Sequence, residues 1–162
     1  MVNAAAINYC KPSSEIDSDE WDEVLEVNLR SYFLTSKLSI EKMMSSGGGK
    51  IVNISSIAGR NKSIVSGVHY TSSKSAIIGM TRQLASEVSQ YGIHVNVVCP
   101  SQTMTDMLLR SMSQEERESL ASNIPIKRLA STKDQSQPVL FLCSEGASYI
   151  TGAVLDINGG QL

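Results

Sequence analysis

The sequence predicts an α/β protein built on a parallel sheet with helices over both faces. Short β-branched runs (KIVNI, IHVNVV, AVLDI) alternate with longer stretches in which apolar residues recur at helical spacing. Glycines punctuate the joints at Gly47–Gly49, Gly92 and Gly146. Strands separated by whole helices need crossover connections, which a parallel sheet buried on both faces accommodates.

The elements follow in order. Asp17 and Glu20 are spaced as a capping box, and Trp21, Val24, Leu25, Val27, Leu29, Phe33 and Leu34 then recur at helical spacing. That pattern predicts a long helix from about Ser18 to Met44. The triple glycine ends it, and Lys50 to Ile54 reads as a strand. A second helix is expected from about Val68 to Gln90, and behind the stop at Gly92 a strand from Ile93 to Val98. Beyond Pro100 come a short helix near Asp106 to Met112 and another opened by the Ser113/Glu116 box, together a candidate movable flap. A last helix ends near Ser144. Pro138 would fall inside it if it began at Thr132, so this helix either starts near Ser136 or kinks. A turn at Gly146 and Gly152 leads to a strand at Ala153 to Ile157.

Composition narrows the function classes. With 162 residues, 41% hydrophobic and 19% charged, and no repeat or linker, residues 1–162 read as a single domain or one part of a domain. A net charge of -2 without a basic face argues against nucleic acid and anionic membranes. The amino terminus has no basic n-region, and no apolar run approaches the ~18 residues of a membrane span. A cytoplasmic protein is expected. Cys10, Cys99 and Cys143 lack zinc or disulfide spacing, so they are read as reduced, mostly buried thiols, with no metal site.

Tyr70 and Lys74 stand four apart on a predicted helix, so their side chains share a face. A lysine ammonium within about 4–6 Å favours phenolate and lowers a tyrosine pKa from its usual value of about 10, which suits proton exchange with an alcohol or ketone. Alone the pair is weak, since chance supplies it in roughly one such chain in four. Ser55 and Ser56 lie at the C-terminal end of a predicted parallel strand, where open α/β sheets place ligands. A hydroxyl there can orient a carbonyl or merely cap a turn. Asn28, in the middle of the long helix, fits either a functional kink or an exposed polar position.

Asn28, Ser56, Tyr70 and Lys74 recur in the order of the catalytic tetrad of the short-chain dehydrogenase/reductase family, which the chain resembles along essentially its whole length. MVNAAAI at Met1–Ile7 is similar to that family's fourth-strand motif, NISSIAG at Asn53–Gly59 to its serine segment, and HYTSSKSAIIGMTRQLA at His69–Ala85 to its active-site helix. VNVVCPSQTMTDM and YITGAVLDINGG add two further matches. The pattern departs in three places: Ala4 to Ala6 stand for the usual Asn-Ala-Gly, Ser101 stands for glycine after Pro100, and the interval from Ser56 to Tyr70 is longer by one residue than the usual spacing.

The resemblance implies a Rossmann-like doubly wound parallel sheet and an oxidoreductase that interconverts a secondary alcohol and a ketone with NAD or NADP. It implies that Tyr70 is the acid/base and that Ser56 steadies the substrate oxygen. Lys74 would hold the nicotinamide ribose and lower the tyrosine pKa, and Asn28 would support a water-mediated proton relay. Asn3 and the following backbone would lie near the adenosine side of the cofactor, while Pro100, Thr103 and Thr105 would meet nicotinamide and phosphate. Partners implied are a small alcohol or carbonyl substrate and further copies of the chain, as dimers or tetramers.

A dinucleotide fold opens with a strand, a glycine-rich turn and a helix N-terminus that receives pyrophosphate. Gly47 to Gly49 cannot serve, because they follow a helix and precede a strand. The family pattern therefore reads as N-terminally truncated, short of its first three strands and glycine-rich loop, roughly 85 residues. Losing them would expose the fourth strand as an edge. A catalytically silent fragment acting as an interaction or oligomerisation module is the alternative reading. A serine hydrolase is a poor third, since Ser55 and Ser56 lack a G-x-S-x-G elbow. Met104, Met107, Leu108, Leu109 and Met112 fit either an adaptable apolar flap or plain helix packing.

Overall fold

A computed structural model describes residues 1–105, 108–109 and 112–162. Four parallel strands form one sheet in the order β1-β2-β3-β4: β1 (Val2–Asn3), β2 (Gly49–Ile54), β3 (Ile93–Pro100) and β4 (Val154–Ile157). Alternation along β2 and β3 turns residues to opposite faces. Ile51, Val95, Val97 and Cys99 pack under the helices Ser31–Ser46 and Val68–Val88, while Val52 and Val98 pack under the helix Thr132–Cys143. The doubly covered α/β sheet is thus present, with β1 at its edge and Val2 44% exposed.

The long first helix is interrupted. Helix α1 (Ser18–Leu25) passes through one wide π turn, Glu26–Arg30, into α2 (Ser31–Ser46). Asp17 caps α1 by accepting the Glu20 N–H at 2.8 Å, but the Glu20 carboxylate turns to Lys11 and His69, so only half of the expected box closes. Gly47, at φ +89°, ends α2 in the left-handed conformation that glycine adopts without strain, and the Gly48 N–H closes onto the Met43 carbonyl.

Helix α3 (Val68–Val88) runs into a single 3-10 turn at Ser89–Tyr91, and Gly92 releases the chain into β3. Helix α4 (Gln114–Ser122) carries the complete Ser113/Glu116 box. The short helix expected near Asp106 to Met112 includes Asp106, Met107, Arg110 and Ser111, which lie outside the described residues.

Helix α5 (Thr132–Cys143) begins at Thr132, not near Ser136, because Ser131 and Asp134 form a second closed capping box there. Pro138 therefore sits inside α5, where the Asp134 carbonyl loses the N–H it would otherwise receive. Pro138→Ala is expected to stabilise the protein by about 2 kcal/mol, read as a higher urea midpoint at unchanged slope.

The thiols also depart from expectation: only Cys99 is buried, while Cys10 and Cys143 are exposed, and all three are free. Cys10 lies in the segment before α1, and Cys143 is the last residue of α5, on its outer side. Among the described residues no helix is long and apolar enough to cross a membrane.

Candidate active site

Parallel strands bring all their C-terminal ends to one side of the sheet. The chain leaves β2 there through Ser55 and Ser56, and leaves β3 through Pro100. Ser55 extends the ladder with an N–H to the Val98 carbonyl at 2.9 Å. Its buried hydroxyl donates to the Lys74 carbonyl at 2.6 Å, which braces β2 against α3. Ser56, one residue later, caps the 3-10 turn Ile57–Gly59 by accepting the Ala58 N–H at 3.1 Å. Its side chain shares a cleft with the Tyr70 phenol. Of the roles foreseen for a serine at this strand end, the turn cap falls on Ser56. Arg60 then ties the turn to β4 through a two-pronged ion pair with Asp156 at 3.1 and 3.2 Å.

Tyr70 lies in the first turn of α3 and Lys74 one turn later. Burial pushes the Tyr70 phenol above its ordinary pKa, and the Ser56 side chain opposes that rise. The Lys74 ammonium is buried, donates to the Ile54 carbonyl at 2.9 Å, and stands 5.6 Å from the Tyr70 ring centroid and 5.5 Å from that of Tyr32. Burial lowers Lys74 from 10.5 to about 8, with the neighbouring Cys99 thiol acting weakly in the other direction. The expected balance, in which Lys74 pulls Tyr70 down, is therefore not the one found: desolvation dominates both groups, and Ser56 is the group that favours phenolate. Burial likewise pushes the Cys99 thiol up to about 11, which leaves it protonated and inert.

Asn28 occupies the π turn and is fully buried, so the kink and not the exposed position accounts for it. Its amide oxygen accepts the Ile7 N–H at 2.8 Å. Its amide nitrogen donates to the Ile7 carbonyl at 2.9 Å and the Ser73 hydroxyl at 3.2 Å. Ser73 in turn donates to the Tyr70 carbonyl at 2.7 Å, so Asn28 supports the Tyr70 turn from behind.

Ser56, Tyr70 and Pro100 line one cleft of about 210 Å³, whose lining does not include Asn28 or Lys74. Asn8 and Gln102 line it as well and were not singled out from the sequence. Gln102 buries its side-chain oxygen without a hydrogen-bond partner, and its place between Pro100 and Thr103 was the available signal. Pro100 also borders a largely apolar cavity of about 430 Å³ that includes Val2, Ile54, Val98 and Thr103. The Thr103 hydroxyl donates to the Ser101 carbonyl at 2.9 Å. Thr105 is exposed, borders neither cavity, and accepts the Leu108 N–H at 3.4 Å.

The Asn3 side chain turns inward. It donates to Asn53 at 2.8 Å and Ser36 at 3.1 Å and accepts from Thr35 at 2.8 Å, and Asn53 continues the chain to Thr81 at 2.9 Å. With its amide consumed, Asn3 can meet a ligand only through its backbone. Among the described residues, no group of His, Cys, Asp and Glu is arranged to hold a metal ion.

Comparison with known proteins agrees with this geometry. Residues 1–161 match the family model described as enoyl-(acyl carrier protein) reductase. The 3-oxoacyl-(acyl-carrier-protein) reductase of Aquifex aeolicus is 41% identical over 161 residues, which cover 99% of this chain and 64% of the relative. Among solved structures, a 3-oxoacyl-(acyl-carrier protein) reductase from Brucella melitensis superposes with a TM-score of 0.94 at 34% identity, over 99% of this chain and 62% of that one. The protein ElxO with NADP bound superposes at 0.92 and 32% identity, over 99% and 65%. The chain belongs to the short-chain dehydrogenase/reductase family. It spans a little under two thirds of the length of these relatives.

Proposed function

We propose that this chain supplies the acid/base and substrate side of an oxidoreductase interconverting a secondary alcohol and a ketone with NADP(H) or NAD(H). The observation that carries the reading is that Ser56 and Tyr70 line one cleft at the C-terminal ends of the strands. The name of the Aquifex relative supports a 3-oxoacyl ester as the first substrate class to try.

The residues present fit one end of the cofactor. An apolar slot adjoins the cleft at Pro100, and the Lys74 ammonium spends one of its three hydrogens on Ile54. The phosphates find no glycine-rich turn between a strand and a helix among the described residues. When bound, a nicotinamide supplies or takes the hydride. The residues of this chain handle the oxygen. Ser56 donates to the substrate oxygen where negative charge develops, and Tyr70 gives its phenolic proton to that oxygen during reduction or takes it during oxidation. Lys74 holds the ribose edge, Thr103 flanks the apolar slot, and Asn28 holds the Tyr70 turn from behind.

The test is a chimera that joins this chain to the part of the Aquifex relative it does not match, assayed for ketone reduction through nicotinamide absorbance. Ser56→Ala is expected to lower kcat about a hundredfold or more, and Ser55→Ala less than tenfold. Equal losses for both would remove Ser56 from its assigned role.

A silent interaction module is the second reading, favoured by the chain's spanning a little under two thirds of the length of its relatives. For the 162-residue chain the two readings agree on a binding result. Calorimetric titration is expected to find dissociation constants for both dinucleotides near millimolar, about -4 kcal/mol, and a low-micromolar value would show that residues 1–162 suffice to hold the phosphates. Turnover by the chimera separates the two readings.

A further inference from the structure

The residue immediately before Tyr70 is a fully buried histidine with both ring nitrogens engaged. The first N–H groups of a helix lack partners within it, and the third is usually taken by a side chain at the N-cap. In α3 the N-cap is Gly67, which has no side chain to offer, and the third N–H belongs to Tyr70. His69 Nδ1 accepts that N–H at 2.8 Å. An imidazole nitrogen that accepts carries no proton, so the proton of neutral His69 sits on Nε2, which faces the Glu20 carboxylate at 3.1 Å.

The pair is anchored from α1. Glu20 is bound by the Lys11 ammonium, which holds its carboxyl below the usual range, and His69 contributes in the same direction. The Tyr9 ring tilts against the imidazole at 6.3 Å between centroids, and its hydroxyl donates to Glu23 at 3.2 Å. Behind the ring, a Cβ on Gly67 would come within 2.5 Å of His69 Cε1 and 2.6 Å of the Tyr9 carbonyl, so glycine is required there for close approach. The titratable groups facing His69 are thus Glu20 and Glu23 from α1, Lys11 and Tyr9 from the preceding segment, and Tyr70 beside it on α3.

We propose that His69 is a positioning residue for Tyr70: as the Nε2-protonated tautomer held by Glu20, it fixes the first turn of α3 and keeps the phenol against Ser56. This rests on the reading of Tyr70 as the acid/base. Protonating Nδ1 would replace an acceptor with a donor facing the Tyr70 N–H, and the tie would break.

The experiment uses the 162-residue chain and needs no turnover. Long-range proton–nitrogen spectra at neutral pH are expected to show His69 with a bare Nδ1 and a protonated Nε2. His69→Leu is expected to speed Tyr70 amide exchange and to move the Tyr70 phenol midpoint upward, since the phenol drifts from the Ser56 side chain that favours phenolate. His69→Asn, whose oxygen can take the place of Nδ1, is expected to restore both.

The opposite tautomer, or a Tyr70 phenol that responds identically to Leu and Asn, would overturn the proposal. Should the Leu variant fail to fold, the wild-type tautomer decides. A turnover result that removes Tyr70 from catalysis leaves the tautomer measurement intact, so failure of the functional reading and failure of this inference are distinguishable.

Discussion

Tyr70→Phe in the length-completed chimera is expected to cut turnover by about a hundredfold to ten-thousandfold while leaving dinucleotide affinity within a factor of two or so. The ring and its packing remain, and only the transferable proton is lost. Burial places the Tyr70 phenol above its ordinary value. The protonated form needed for ketone reduction therefore persists well into alkaline pH, while alcohol oxidation, which needs phenolate, should still be rising there. Rate profiles in both directions check the sign. Retention of more than about a tenth of the wild-type rate would mean that less than ~1.4 kcal/mol separates phenol from phenyl, and the acid/base role would fail.

Lys74→Met is expected to impair catalysis and stabilise the fold together. Burial lowers the Lys74 pKa from 10.5 unfolded to about 8 folded, so between those values the unfolded chain binds the proton more tightly. The cost to folding is complete below pH 8 and disappears as pH rises toward 10.5. A methionine of similar length avoids it, and the Ile54 carbonyl keeps a partner because the Tyr32 hydroxyl also donates to it at 3.1 Å. The gain at pH 7 should be about 1 to 3 kcal/mol, shrinking steadily between pH 8 and 10.5. Urea titrations of both proteins across that range measure it. A variant less stable at pH 7, or a gap that widens with pH, would contradict the burial account.

Much of the sheet was legible because its strands announce themselves by β-branched runs between glycines, and the observed bounds of β2, β3 and β4 differ from the sequence reading by one or two residues. The π turn at Asn28 was not. One extra residue in a turn barely disturbs the apolar spacing from Trp21 to Leu34, so the pattern reads straight through it. Tyr70 and Lys74 were legible because helical spacing alone puts them on one face. Their electrostatic balance was not, since it depends on burial and on the carbonyl that occupies Lys74. Glu20 shows the same limit differently: its spacing from Asp17 signals a cap, whereas its carboxylate is claimed by His69, 49 residues away, a pairing that no local window contains. In α5 the sequence offered two solutions for Pro138, and the Ser131–Asp134 box, an equally local signal, decided between them.

The buried amides joining Thr35, Asn3, Asn53 and Thr81 bear on how the sheet edge keeps its alignment. Strand β1 is two residues long, and its apolar residue, Val2, is largely uncovered, so hydrophobic burial gives it little reason to prefer one pairing over another. Directional bonds do. A slip of one residue would carry the Asn3 amide to the opposite face and strand the polar groups of Asn53, Ser36 and Thr35 in a dry interior, each at a cost of about 1 to 3 kcal/mol. The edge is thus locked by the penalty on every wrong alignment more than by the attraction of the right one, and the backbone after Asn3, which runs toward the cleft, inherits its position from that lock.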